Sequence, residues 1–284
     1  MTARQIATQR IFLTTVGLLL VLSASCQSRR LEAPNLDAVL WVRTSAEYRA
    51  ASEQTYNMSR VQLGRILASK DKTWTAAVEQ TGDYRELEPA IIVDVDDTVL
   101  DTSPFQAFLI TRGASFKADL WKTWVRELKA APVPGALAFI RWAHAQGVKI
   151  FYVTNREFDV ESATIRNLDS AGFPVAADGS NVLAKDEQYD WSADKTTRRA
   201  FVARTHRILL IVGDDLNDFI SVPGNDQAAR RKFTMEHQAY WGLKWVMMPN
   251  PMYGRWERAL HGSGEPLSHR EIHQRKFDQL RGTD

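Results

Sequence analysis

The sequence predicts an α/β fold, a three-layer α/β/α arrangement with a parallel sheet covered on both faces by helices. Three observations predict it. Compact apolar runs recur along the chain: "AIIVDVD" (90–96), "VKIFYVT" (148–154), "NVLAK" (181–185), "RILLIVGDD" (207–215) and "WVMMPN" (245–250). Strands buried on both faces read as such continuous runs rather than as an apolar–polar alternation. The stretches between them are helical in length and spacing, which is the connection that parallel neighbours need. Polar residues then gather where the runs end, at Asp94 and Asp96, at Thr154, and at Asp214, Asp215 and Asp218. Open sheets of this kind bind ligands beyond the carboxyl ends of their strands.

The first 25 residues stand apart. "MTARQIATQR" carries Arg4 and Arg10 and no acid, "IFLTTVGLLLVLSAS" follows as a short apolar run, and the only cysteine, Cys26, comes next. A basic start, an apolar middle and small residues at the end make a secretory signal peptide, and the run is short for a membrane span. Three endings stay open: Cys26 as the lipid-modified cysteine of a bacterial lipoprotein, ordinary cleavage near Ala24 or Ser25, or an uncleaved anchor. Leu22 stands four residues before Cys26, where the lipoprotein signal usually has leucine three before. Each option places the folded part outside the cytoplasm, in the periplasm or at the cell surface. The first would attach it to a membrane, the outer one, by lipid. Without this segment, basic and acidic residues balance at 34 each, so charge gives no argument for a nucleic-acid partner.

"QSRRLEAPN" extends the segment into a tether over 26–35. From Leu36, apolar residues recur at helical spacing through Val39, Leu40, Tyr56, Val61, Leu63, Ile66 and Leu67. That predicts two or more N-terminal helices within 36–85, running to about residue 82, which contribute to a helical cap. The catalytic domain is expected over 86–265, with a cap insertion at 102–133 and a C-terminal tail at 266–284. In the insertion, Trp121, Trp124 and Leu128 fall at i, i+3 and i+7 and predict a helix with an aromatic stripe. "GALAFIRWAHAQG" predicts a helix between Pro134 and Gly147. With 44% hydrophobic residues, nine Trp and twelve Phe in 284 residues, a sizeable core is within reach and disorder throughout is excluded.

The strand ends carry the chemistry. "DVDDTVLD" holds Asp94, Asp96, Asp97 and Asp101 within eight positions, and "GDDLND" adds Asp214, Asp215 and Asp218. Carboxylates at close range repel, and some must protonate unless a cation joins them. Magnesium suits such a place. It prefers oxygen ligands and needs only one or two carboxylates plus a substrate phosphate. Asp94 and Asp214 are the natural ligands. Strand alternation points Asp97 away from Asp94 and Asp96. Read alone, "DKTTRR" is a solvated helix face, and Thr154 caps a helix starting near Asn155.

"DVDDT" (94–98) matches the Asp-x-Asp-x-Thr signature of the haloacid dehalogenase superfamily. "YVTNR" places Thr154 at the second signature position, "DKTTRR" offers Lys195 as the third, and "GDDLND" supplies Asp214 and Asp218 as the fourth. With "LWKTWV", "PVPGALAF" and "PNPMYGRWE", the chain resembles the secreted class C acid phosphatases, the lipoprotein e family, over nearly all of its mature length. The resemblance implies a Rossmann-like fold of haloacid dehalogenase type and magnesium-dependent hydrolysis of phosphate monoesters, often nucleoside monophosphates. It implies Asp94 as nucleophile and Asp96 as acid and then base, a role that asks Asp96 to hold a proton, as acidic neighbours favour. Magnesium would lie on Asp94, the Asp96 carbonyl and Asp214, with Asp218 holding its waters. Thr154, Asn155 and Lys195 would bind phosphate. By position, Trp121 and Tyr253 resemble the family's base-stacking rings; packing in the core or at a subunit contact, such as that of a homodimer, is the alternative for both. Asp215 departs from an Asn often seen there. Two other outcomes fit the same residues: transfer of the phosphoryl group to an alcohol, and an idle scaffold kept as a surface-binding lipoprotein. Against the second stands the intact set of Asp94, Asp96, Thr154, Lys195 and Asp214.

Overall fold

Each apolar run forms a strand, and the side chains divide between the two faces by simple alternation. The computed structural model describes residues 33, 35–222, 226–260 and 269–281. The segment 1–25 and Cys26 lie outside the described residues, as does the tether except for Ala33 and Asn35. Strands β1 (Glu88–Val93), β2 (Lys149–Glu157), β3 (Val182–Lys185), β4 (His206–Gly213) and β5 (Trp245–Met247) pair in parallel in the order β3-β2-β1-β4-β5. The sheet thus places β1 at its centre, with β2 and β4 as neighbours. Along β1, Ile91 and Val93 enter one core cluster while Ala90 and Ile92 enter the other. Burying each of the larger side chains is worth roughly 1.5–3 kcal/mol against leaving it in water.

The first face is covered by α2 (Ala46–Ala68), which follows α1 (Leu36–Thr44), and by α5 (Ala136–Ala145). Tyr56, Leu63 and Ile66 of α2 and Phe139, Ile140 and Ala143 of α5 pack there against Ile150, Leu210 and Val212. Ser45 starts α2 by accepting a hydrogen bond from the Tyr48 N–H at 3.0 Å. Gly135 at the head of α5 has φ +85°, and a Cβ there would stand 3.1 Å from the Glu53 Cα and the Tyr56 Cβ. Glycine is therefore what lets α2 and α5 approach so closely. Helix α7 (Thr196–Ala203) lies on the second face, where Val202 and Ala203 meet Ile208, Ile211 and Trp245.

Three expectations need correction. The helical N-terminal region stops at Ala68, not near residue 82. Beyond it, Asp71 accepts from the Thr73 N–H, a turn that competes with the helix. The chain then spends its polar groups on β4. The Ala76 N–H reaches the Ile208 carbonyl, the Trp74 indole reaches the Leu209 carbonyl, and Gln80 bonds Ala203, His206 and Ile208. In the insertion, α3 (Ser103–Arg112) precedes α4 (Ala118–Arg126), and α4 ends before Leu128, whose backbone is left-handed at φ +56°. Trp121 and Trp124 do share a face, stacked at 5.3 Å. Finally, no helix starts at Asn155, because β2 runs on to Glu157 and α6 begins only at Glu161 (Glu161–Ser170).

Helices α1 and α3 pack together through Val39, Val42, Ala107 and Ile110, with Tyr253 and Met252 against them. After α8 (Gln227–Glu236) and α9 (Arg255–Arg258), the region read as a tail carries α10 (His269–Arg281), tied back by Lys276 to Glu257 at 2.5 Å. Among the described residues no helix is long and apolar enough to cross a membrane.

Candidate active site

Because β1 and β4 are neighbours, their carboxyl ends bring "DVDDT" and "GDDLND" face to face. The Asp94 N–H still bonds the Val212 carbonyl at 2.9 Å, so Asp94 is held as if the strand continued. The chain then coils back on itself, with the Val99 and Leu100 N–H groups both donating to the Val95 carbonyl. Asp97 takes up the reversal with φ +54°. Its carboxylate accepts from the Thr102 N–H and hydroxyl, at 2.9 and 2.6 Å, and from the Tyr253 hydroxyl at 2.5 Å. Burial pushes Asp97 up to about 7 despite these bonds.

At the end of β4 a single 3-10 turn, Leu216–Asp218, folds Asp218 back beneath the strand. Its Oδ2 accepts from the Asp214 and Asp215 N–H groups at 3.1 and 2.9 Å, while Asp215 caps the turn by accepting from the Asn217 N–H. Asp215 also accepts from the Arg255 N–H at 3.0 Å. Gly213 leaves the space that Asp218 fills, since a Cβ there would lie 2.3–2.7 Å from the Asp218 side chain. Gly213→Ala must displace that carboxylate. We expect a loss of about 1–3 kcal/mol of stability, read as a lower melting temperature, together with weaker metal binding. An unchanged melting temperature and unchanged metal titration would contradict this fit.

One oxygen each of Asp94, Asp214 and Asp218 lies within 4.8 Å of the others. One buried ammonium serves this group. Lys195, at the head of α7, donates from Nζ to Asp94 Oδ1 and, at 2.7 Å, to Asp218 Oδ1. Burial works against the Lys195 charge, but Asp218 and Asp94 together hold its pKa above the usual value. The carboxylates are less well served. Burial, then Asp94 and Asp218, push Asp214 well above the carboxylate range, against neutral partners, the Asn250 amide at 2.8 Å and the Thr98 hydroxyl at 3.4 Å. Burial also lifts Asp218 to about 6, against the pull of Lys195. A divalent cation with oxygen preference fits this donor set, in which three carboxylates share one ammonium.

The end of β2 adds three consecutive residues. Asn155 accepts from Arg198 at 2.7 Å and donates to the Ala193 carbonyl at 3.2 Å. Thr154, expected on phosphate, is fully buried behind the cavity wall, and its hydroxyl oxygen accepts from the Arg156 N–H at 3.0 Å. Arg156, which the sequence reading left unassigned, has no exposed surface on its side chain and forks onto Asp96. The neighbour in contact with Asp96 is thus a guanidinium and not another carboxylate. The "DKTTRR" run is likewise no solvated face. Lys195, Arg198 and Arg199 are all buried, and Arg199 pairs with Glu79 at 2.6 Å.

Asp94, Asp96, Asn155, Arg156, Lys195, Asp214 and Asp218 line a cavity of about 530 Å³, in the range of small-molecule sites. Its walls include Phe116, Trp121 and Tyr253, so both rings singled out in the sequence face the space above the carboxylates, and Phe116 joins them. Trp121 is set by Phe105, edge-on at 5.1 Å, and Tyr253 by its bond to Asp97.

Comparison with known proteins gives the family and the fold. The family described as HAD superfamily, subfamily IIIB (acid phosphatase), matches residues 14–256. The structure of the class C acid phosphatase from Bacillus anthracis is similar to this chain with a TM-score of 0.78 at 33% identity. It covers 90% of this chain and 100% of its own. A second structure of that enzyme, with tungstate bound, is similar with a TM-score of 0.78 at 32% identity and the same coverage.

Proposed function

We propose a reaction course from one premise: the chain belongs to the acid phosphatases of HAD superfamily subfamily IIIB and is a phosphoric monoester hydrolase. In our reading the substrate is a nucleoside monophosphate, the cation is Mg²⁺, and the phosphoryl group passes through an aspartyl phosphate on Asp94. One observation carries it. An Asp94 oxygen lies at the cavity floor beside the Lys195 ammonium, with the Asp214 and Asp218 carboxylates within reach of a shared cation.

An Asp94 carboxylate oxygen bonds to phosphorus and the ester P–O bond breaks. Asp96 gives its proton to the departing oxygen, which leaves as the alcohol. Asp96, now a carboxylate, takes a proton from water as the water oxygen bonds to phosphorus. The bond from phosphorus to Asp94 breaks, releasing orthophosphate and restoring the enzyme. Lys195 holds negative charge on the nucleophile and on the transferring group, and Asn155 offers its amide at the cavity wall. Asp94, the Asp96 carbonyl and Asp214 would hold the Mg²⁺, with Asp218 beside them to hold its waters, and the ion would supply positive charge to the phosphoryl oxygens. Positioning and charge of this kind are most of what phosphoryl transfer asks of a protein. Tungstate, the ligand named for the Bacillus anthracis relative, is a tetrahedral oxyanion like phosphate, which supports a phosphate-shaped floor.

Trp121 and Tyr253 give the nucleotide preference in this reading, by stacking on the base. A phosphate-release screen of nucleoside monophosphates against glycerol phosphate, with and without Mg²⁺, tests it. Trp121→Ala is expected to raise KM for the nucleotides about 5- to 150-fold, matching roughly 1–3 kcal/mol of stacking per base, and to leave glycerol phosphate little changed. Equal losses on both esters would remove Trp121 from base recognition.

A further inference from the structure

Arg156 occupies a position that the reaction course leaves unused. Its Nε lies 3.0 and 3.3 Å from the two Asp96 oxygens, and its Nη2 lies 2.8 Å from Oδ1. Nη1 faces the Thr164 hydroxyl at 3.3 Å, and that hydroxyl donates to the Val160 carbonyl at 3.0 Å. The guanidinium carbon stands 5.6 Å from the centroid of the Trp121 ring. The Arg156 side chain has no exposed surface, whereas Asp96 keeps 20% of its own, and both residues line the cavity.

Stability alone is a poor reason for this pair. Stripping a guanidinium of water costs several kcal/mol, and an apolar pair of similar volume often does as well or better. What the fork gives is geometry. Two planar donors, Nε and Nη2, converge on Oδ1 and fix the carboxyl rotamer as a single ammonium cannot, which leaves Oδ2, reached only by Nε at 3.3 Å, as the oxygen to carry the proton. The hydrogen bond to Thr164 of α6 fixes the guanidinium in turn. We propose that Arg156 is a positioning residue that aims Asp96 at the departing oxygen of the ester. This makes the rate depend on Arg156 only for leaving groups that need a proton. The proposal rests on the reading of Asp96 as general acid.

The consequence is selective. An alkyl ester such as a nucleoside 5′-monophosphate releases a basic alkoxide and needs the Asp96 proton. 4-Nitrophenyl phosphate releases a stabilised phenolate and does not. The experiment measures first-turnover release of nucleoside and of nitrophenol by the Mg²⁺-loaded enzyme and by Arg156→Lys, Arg156→Gln, Asp96→Asn and the double variant Asp96→Asn/Arg156→Lys. First-turnover rates keep the second, water-consuming step out of the comparison. The Arg156 variants are expected to lose about 10²-fold or more on the nucleotide, the lower range for general acid catalysis, and less than about fivefold on the aryl ester. Retained nitrophenol release then also reports that they fold. In the double variant the Arg156 change should add nothing to the loss caused by Asp96→Asn. If Asp96→Asn is selective but the Arg156 variants lose both esters alike, or neither, the positioning role is overturned and the acid role stands. If Asp96→Asn itself shows no selectivity, the acid role fails and this proposal falls with it.

Discussion

Asp94→Asn is expected to remove turnover, by a factor on the order of 10⁴–10⁶, the scale at which loss of a covalent nucleophile is felt. It should do so without unfolding the protein. Asparagine keeps the shape of the side chain and the Asp94 N–H bond to Val212, but an amide cannot accept the phosphoryl group as a carboxylate does. The variant also removes one charge from a crowded group, because Asp94 is among the carboxylates that raise both Asp214 and Asp218. Lys195 keeps its second partner, Asp218, at 2.7 Å. The melting temperature measured in chelator near pH 7 is therefore expected to equal or exceed that of the parent. Dead and stable is the signature of a residue kept for chemistry. Turnover within tenfold of the parent would take the nucleophile role from Asp94.

Much of this site is legible because the sheet is simple. Runs such as "IIV" and "ILLIV" have no polar face and are short and rich in β-branched residues, so they read as interior strands, and interior parallel strands aim their ends at one edge. Neighbouring strands then turn two Asp-rich strings far apart in sequence into one cluster. The arginines are harder to read. Arg156 sits two residues past Thr154 in a string already recognised, yet its partner, Asp96, is 60 residues away in the turn after β1. Nothing local tells a buried guanidinium from a solvated one. Arg199 repeats the lesson, since its burial depends on Glu79, 120 residues distant. The segment after Ala68 misleads for a related reason. Its donors and acceptors satisfy the backbone of β4, a tertiary use that helical spacing cannot reveal. Trp121 and Tyr253 reach one cavity from separate elements, and only their positions in recognisable strings pointed there.

Removal of the cation is expected to abolish activity, and Mg²⁺ to restore it, but the stronger test is how stability responds to pH. Asp218 is lifted to about 6 and Asp214 well above the usual carboxylate range, burial first among the causes in each case. In the unfolded chain both titrate near the ordinary carboxylate value of about 4. A group raised on folding contributes stability that is fully present below its unfolded pKa and lost as pH rises through the folded one. The chelated protein therefore binds more protons folded than unfolded between about pH 4 and 6, and it loses stability across that interval as the carboxylates are forced to ionise side by side. A bound divalent ion replaces those protons. The rise in melting temperature on adding Mg²⁺ should be small near pH 4.5 and grow toward pH 7, with proton release on binding measurable by calorimetry in buffers of different ionisation enthalpy. Comparing the chelated with the loaded protein at each pH cancels titrations elsewhere, such as that of the Glu161 carboxyl, raised to about 7 chiefly by burial. An increment that shrinks as pH rises, or turnover that survives complete chelation, would mean that Asp94, Asp214 and Asp218 gather for a reason other than a shared cation.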